Sequence, residues 1–177
     1  MGNIIVTEFI TLDGVIDTPS WSASYWNDDI AAFKATEFNM SNGQLLGRIT
    51  YDGFVQAWPD SKDEGAEVIN NMPKYVVSTT LKRADWNNSH IISDNVAAEI
   101  RKLKGEFTGD LIVSGSATLI EFLIAEYLVD EYHLLVYPVV VGTGKRLFKE
   151  GSEAKLKLIE TKAFGDVTLL RYQADNN

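Results

Sequence analysis

The sequence contains no cysteine. Disulfides, thiolate nucleophiles and Cys-ligated zinc are therefore excluded, including the zinc centre that cytidine-type deaminases need. Positive charge is also scarce: 16 Lys and Arg against 25 Asp and Glu leave a formal net charge of -9. Such a balance repels a phosphodiester backbone and offers no basic stripe for nucleic acid. The 2 histidines, His90 and His133, have no partner at metal-ligand spacing, so no metal is expected. No apolar run approaches the roughly 18 to 20 residues of a bilayer span. The opening MGNIIVTEFITLDG alternates like a strand and shows no basic region followed by an apolar one. A cytoplasmic chain with small-molecule partners is the expectation. A phosphorylated cofactor remains compatible with the negative balance, because it needs only a local cation or two and backbone N–H donors.

What is present suits one domain over residues 1–177, with 45% hydrophobic content to fill a single core. Asn3 to Ile10 reads as a strand ending at the turn signal Leu12-Asp13-Gly14. Ile30, Phe33, Ala35 and Phe38 recur at helical spacing, predicting a helix over 28–40 capped by Asn27 or Asp28. Asn42-Gly43 reads as a turn, 44–47 as a short strand and 48–55 as a helical segment. Further strands are predicted over 72–80, 90–92, 110–113 and 131–141, with helices over 95–104 and 117–126. A terminal hairpin over 156–163 and 167–172 turns at Gly165-Asp166. Strands alternating with helices predict an α/β fold: three α/β/α layers around a mixed, mostly parallel sheet that ends in an antiparallel hairpin.

Three strand-to-helix junctions are rich in small or hydroxyl residues: Gly47-Arg48-Ile49-Thr50, Ser78-Thr79-Thr80 and Ser114-Gly115-Ser116-Ala117-Thr118. In open α/β sheets, ligands sit beyond the carboxyl ends of the strands, where helix N-termini present unpaired N–H groups. Each junction alone is equally an ordinary turn or cap, and none is a GxGxxG or P-loop motif. Trp21, Tyr25, Trp26, Phe54 and Trp58 form an aromatic set able to stack on a flat heterocycle or to pack in the core.

The order of these pieces resembles the dihydrofolate-reductase-like superfamily, specifically stand-alone relatives of the C-terminal reductase domain of the bifunctional riboflavin-biosynthesis deaminase-reductase. The resemblance runs through Thr11-Leu12-Asp13-Gly14, Leu46-Gly47-Arg48-Ile49-Thr50-Tyr51, Tyr75-Val76-Val77-Ser78 and Ile112 to Leu119. It continues through Leu128-Val129-Asp130-Glu131-Tyr132, Tyr137 to Gly144 and Leu147-Phe148.

That resemblance implies NADPH as cofactor, a hydride delivered to a pterin-like or aminopyrimidine-like substrate, and a homodimer. It implies that Gly47, Arg48, Ile49 and Thr50 meet the cofactor, with Arg48 at the 2′-phosphate. Ser78, Thr79 and Thr80 would complete that pocket, and Ser114, Gly115, Ser116, Ala117, Thr118 and Leu119 would hold the pyrophosphate. Dihydrofolate reductases carry two glycines joined by a cis peptide at this last junction; here the first is Ser114, so the isomer of the Ser114-Gly115 bond is open. Asp29 matches the helix that bears their pterin-binding carboxylate, as a buried acid, although acids in a first turn also suit the macrodipole. Thr11, Asp13 and Gly14 resemble a loop over the nicotinamide, with Trp26, Phe33 and Phe54 as substrate walls. Lys34, Lys145 and Arg146 are candidates for a substrate phosphate and equally ordinary surface charges. The riboflavin-pathway reaction would reduce the ribosyl group of an aminouracil phosphate. Two alternatives are a dihydrofolate or broader pteridine reductase and a non-catalytic dimeric nucleotide-binding module.

Overall fold

The computed structural model describes residues 2–63 and 65–175. Eight strands form one sheet in the order β4-β3-β2-β5-β1-β6-β8-β7. The strands are β1 (Ile4–Thr11), β2 (Ser41–Gly47), β3 (Lys74–Val77), β4 (Ser89–Ile92), β5 (Asp110–Val113), β6 (Glu131–Tyr137), β7 (Lys155–Phe164) and β8 (Val167–Asp175). Pairing is parallel from β4 through β6 and antiparallel for β6, β8 and β7. The helices are α1 (Asp28–Met40), α2 (Arg48–Ala57), α3 (Ala66–Asn71), α4 (Val96–Glu106) and α5 (Ala117–Ala125).

The core separates into the expected layers. Ile4, Val6, Leu45, Leu111 and Val113 pack beneath Ile100 and Leu103 of α4 and Leu119, Ile120 and Leu123 of α5. On the opposite face Leu46, Val76 and Ile112 meet Phe38 of α1, Tyr51 of α2 and Ile69 of α3, while Ile30 of α1 covers Leu135 and Leu169. A sheet covered on both faces needs apolar side chains at consecutive positions, and this is why the central strands read as unbroken hydrophobic runs. Asn27 caps α1, its side chain accepting from the N–H of Ile30 at 3.0 Å.

Several expected boundaries shift for local reasons. The strand predicted over 72–80 is only Lys74–Val77: the Ser78 hydroxyl accepts from the N–H groups of Thr80 and Leu81 and folds the chain into a turn. The strand predicted over 131–141 stops at Tyr137 because Pro138 has no N–H to give the ladder. Asn42-Gly43, read as a turn, lies inside β2 at an irregularity in its pairing with β5. The short helix α3 carries no cap signal; its N-cap is Gly65 at φ 90°. Behind it Lys74 is fully buried, donating to the carbonyls of Asn70, Met72 and Asn87 and lying over the Trp86 ring at 4.1 Å.

Candidate active site

Because β3, β2 and β5 are adjacent and parallel, their carboxyl ends share one sheet edge. That edge carries Ser78, Gly47-Arg48 and Ser114-Gly115-Ser116 side by side. Gly47 donates its N–H to the Gly115 carbonyl at 3.1 Å, tying two of the junctions together. Gly47 and Ser116 are the N-caps of α2 and α5, and neither makes a side-chain capping bond. Two helix N-termini thus offer unpaired N–H groups at one place, an arrangement suited to an anion. The backbone is packed closely here: a Cβ at Gly47 would lie 2.3 Å from Ser116 Oγ, and one at Gly115, whose φ is +100°, 2.7 Å from Thr50 Oγ1. The cis peptide of the junction is Gly115-Ser116, one bond further on than the Ser114-Gly115 position considered from the sequence.

Beside this edge, β1 runs on past the end of β5, whose last paired residue Val113 sits opposite Val6. The space left over Thr7, Glu8 and Phe9 opens as a cavity of about 600 Å³ between α1 on one side and α2 and α3 on the other. Trp26, Phe54 and Trp58 wall it, and Ser114 joins it to the junction. Mostly apolar walls with a few convergent polar groups are the usual form of a small-molecule site.

The polar groups in and behind the cavity fall into two sets. Lys34 donates to Thr7 Oγ1 at 2.8 Å and to Glu37 Oε2 at 2.5 Å, and Thr7 donates to the same Glu37 oxygen at 3.0 Å. The other Glu37 oxygen bonds His133 Nδ1; His133 Nε2 meets Glu131 at 2.7 Å, and Arg171 binds Glu131 at 2.6 Å and Glu160 at 2.9 Å. Burial would raise the Glu37 pKa, but the Lys34 charge and the His133 hydrogen bond outweigh it and hold the carboxyl below its usual range. Burial alone would lower His133, yet its bonds to Glu131 and Glu37 hold it above its usual value. The second set is Glu8. Its Oε1 is buried with no hydrogen-bond partner among the described residues. Burial pushes its pKa up to about 8 against the opposing charge of Lys34.

The sequence-predicted residues divide accordingly. Gly47, Arg48, Thr50, Ser78 and 114–118 lie at the shared edge, with Arg48 exposed and paired to Asp52 at 2.9 Å. Ile49, Thr79, Thr80 and Thr118 are exposed, whereas Leu119 is buried under the sheet and has only its backbone to offer. Trp26 and Phe54 line the cavity. Asp29 does not: it is exposed and no buried acid stands at that position. Asp28 shares the cavity-facing side of α1 with Ala31, Ala32 and Ala35, and one residue further turns the side chain about 100° away. Phe33 packs on His133 and Phe164 instead.

Thr11, Asp13 and Gly14 also lie outside the cavity lining. Thr11 donates to Asp13 at 2.6 Å, and the Asp13 carboxylate accepts from the N–H groups of Val141 and Gly142, stapling this loop to the segment after β6. Arg146 donates to the Asp13 carbonyl as part of the same staple. Lys34 is no surface charge, its side chain being only 14% exposed. Glu8, Glu37 and His133 escaped the sequence reading, although a carboxylate in a central apolar strand was the available signal: Glu8 interrupts Ile4, Val6 and Ile10 on one face.

A family model, the RibD C-terminal domain, matches residues 3–170. The Bacillus subtilis (strain 168) protein YyaP, itself uncharacterised, is 32% identical over 167 residues, covering 91% of this chain and 88% of its own. A protein of Shewanella sp. PV-4, assigned provisionally to riboflavin biosynthesis, superposes with a TM-score of 0.76 at 22% identity, covering 98% of this chain and 99% of its own. The dihydrofolate reductase of Enterococcus faecalis, solved with NADP(H), superposes with a TM-score of 0.62 at 14% identity, covering 98% and 97%. The fold is thus dihydrofolate-reductase-like, and no helix among the described residues is long and apolar enough to cross a membrane. Since the matched span takes in the shared strand edge, the cavity and all but the last part of the terminal hairpin, the chain belongs to the RibD C-terminal domain family.

Proposed function

We propose that the protein is an NADPH-dependent reductase of a flat, aminopyrimidine-like or pterin-like heterocycle, closest in kind to the aminouracil phosphate reductase of riboflavin synthesis. The observation that carries this reading is that the helix N-termini at Gly47 and Ser116, neither with a side-chain cap, are tied together by the bond from the Gly47 N–H to the Gly115 carbonyl, directly beside an aromatic-walled cavity.

The residues at the edge fit a phosphorylated dinucleotide. At Gly47 and Gly115 the absence of a Cβ lets the two junctions close on each other, since a Cβ would strike Ser116 or Thr50, and N–H groups of Ser116, Ala117 and Thr118 at that junction would hold the pyrophosphate. Arg48 would take the 2′-phosphate; leaving Asp52 costs it little, because an exposed pair of this kind is worth under about 1 kcal/mol. Ser78 shapes the neighbouring turn with its own hydroxyl, and Thr79 and Thr80 are left exposed to meet the adenosine side. A reduced nicotinamide bound there supplies a hydride. The chain's part is to orient the heterocycle between Trp26, Phe54 and Trp58 and to exclude water from it. The substrate phosphate remains without a dedicated cation in this reading, since Lys34 is committed to Thr7 and Glu37. Assembly as a homodimer is part of the proposal, supported by exposed Val140, Leu158 and Ile159.

The test is a titration by tryptophan fluorescence, for which Trp26 and Trp58 are well placed. NADPH is expected to bind more tightly than NADH, and Arg48→Ala to remove about tenfold of that preference. Equal affinity for the two cofactors in the wild type would defeat the proposal.

A further inference from the structure

Glu8 is a carboxylate set into the wrong kind of row. It follows Ile4 and Val6 and precedes Ile10 on the face of β1 that packs under α5, where a charged group is costly unless it is paired. Its Oε1 is buried and has no hydrogen-bond partner among the described residues, and Lys34 acts on it through its charge. That oxygen lies 3.7 Å from where a Cβ of Gly115 would stand, and Glu8 also lines the cavity together with Thr7 and Ser114. It therefore occupies the boundary between the strand-end cradle and the aromatic-walled space.

The other ionisable groups nearby have other commitments. Glu37 on α1 is saturated by Lys34, Thr7 and His133. Asp28 stands at the exposed mouth. Lys34, from α1, is held by Thr7 and Glu37 and lies 5.8 Å and 5.4 Å from the Phe9 and Phe38 ring centres, a fixed positive charge on the α1 side. His133 is separated from the cavity by Glu37. The junction side contributes Thr50, Gly115 and Ser116, which carry no charge.

We propose that Glu8 is the proton donor of this cavity, delivering its proton to the heteroatom of a substrate whose adjacent carbon takes a hydride. The assignment rests on the reductase reading above. For a C=N substrate the balance is complete. The carbon gains the hydride with its electron pair, the π pair of the C=N bond moves to nitrogen, and nitrogen takes the Glu8 proton. The substrate is reduced by two electrons, the reduced nicotinamide is oxidised by two, and Glu8 is left as a carboxylate that regains a proton from water. An acid whose pKa lies near the working pH is suited to this exchange, and burial gives Glu8 that property against the pull of Lys34.

Two measurements decide it. In the ligand-free protein, infrared difference spectra between neutral and alkaline pH are expected to show a protonated carboxyl that is lost on the alkaline side and is missing in Glu8→Gln. No protonated carboxyl at neutral pH, or the same band in the variant, overturns the assignment. NADPH oxidation is then followed with the aminouracil phosphate and with dihydrofolate as acceptors. Glu8→Gln is expected to lower turnover about 100-fold and to lose the alkaline limb of the pH profile, with NADPH affinity by fluorescence unchanged and Glu8→Asp partly restoring the rate. A Glu8→Gln variant as fast as wild type ends the assignment and leaves the reductase reading intact. A wild type that oxidises NADPH with neither acceptor refutes the donation step together with the reductase reading.

Discussion

Glu37, buried behind the cavity, and Glu8, half-buried in its lining with one oxygen sealed from water, are neighbouring carboxyls with opposite fates. Glu37 shares its two oxygens among Lys34, Thr7 and His133; the chain continues through Glu131 and Arg171 to Glu160 on β7, tying α1 to three strands. Glu8 has a cation within electrostatic reach but no partner for its buried oxygen. The first is architecture: each group is satisfied, and the network keeps a charge where charge would otherwise be expelled. The second is a buried oxygen that the fold leaves without a hydrogen bond, and, unlike Gln44, Ser89 and Tyr137, which share that condition, Glu8 also lines the cavity.

The largest effect expected from breaking this contrast is at Glu37. Glu37→Leu leaves Lys34 buried without its carboxylate and His133 with Glu131 alone, and should cost about 3 kcal/mol or more in urea denaturation. Glu8→Leu removes an acid with no partner to orphan and with a burial cost to relieve, so it should leave the protein no less stable in the same measurement at neutral pH. Equal losses at the two positions would erase the distinction.

Next is Gly115→Ala, which puts a Cβ against Thr50 Oγ1 at a φ of +100°. A destabilisation of about 1 to 3 kcal/mol is expected from thermal melts, with NADPH binding lost alongside, because the same backbone forms the cradle and flanks Glu8.

The same contrast is read in the pH dependence. Glu8 is raised in the fold from 4.5 to about 8. Between those values the unfolded chain releases a proton that the folded chain keeps, so stability falls as pH rises through that window and levels off above it. His133 is also raised, from 6.5. Its contribution is complete below 6.5 and is lost as pH climbs through its folded value. Denaturation midpoints against pH should therefore lose the slope that begins near 4.5 in Glu8→Gln, and the later slope in His133→Gln. If Glu8→Gln leaves the early slope intact, Glu8 is not the orphan described above.

The sequence carried the layers, the alternation of strands with helices and the terminal hairpin, because continuous apolar runs and turn residues are local signals; the order of the strands in the sheet, set by pairings between distant segments, it did not carry. It carried the shared edge because Gly47, Ser78 and Gly115 each follow such a run. It did not carry which side of α1 faces the cavity, since Asp28 and Asp29 are chemically identical and only packing separates them. Nor did it carry the network around His133. His133 and Glu37 are 96 positions apart and meet because Thr7 and His133 are paired across β1 and β6. Glu8 was visible as a misfit in its strand, but misfit alone does not say whether a partner waits across the fold.

Lys74 has a consequence of a different kind. Its amine is sealed behind α3 with each proton engaged by a main-chain oxygen, so acylating chemistry, enzymatic or otherwise, has no path to it while that corner stays shut. An acyl group found on Lys74 would record that the chain had been open there when the reagent arrived, making this lysine a memory of past unfolding that the surface lysines cannot keep.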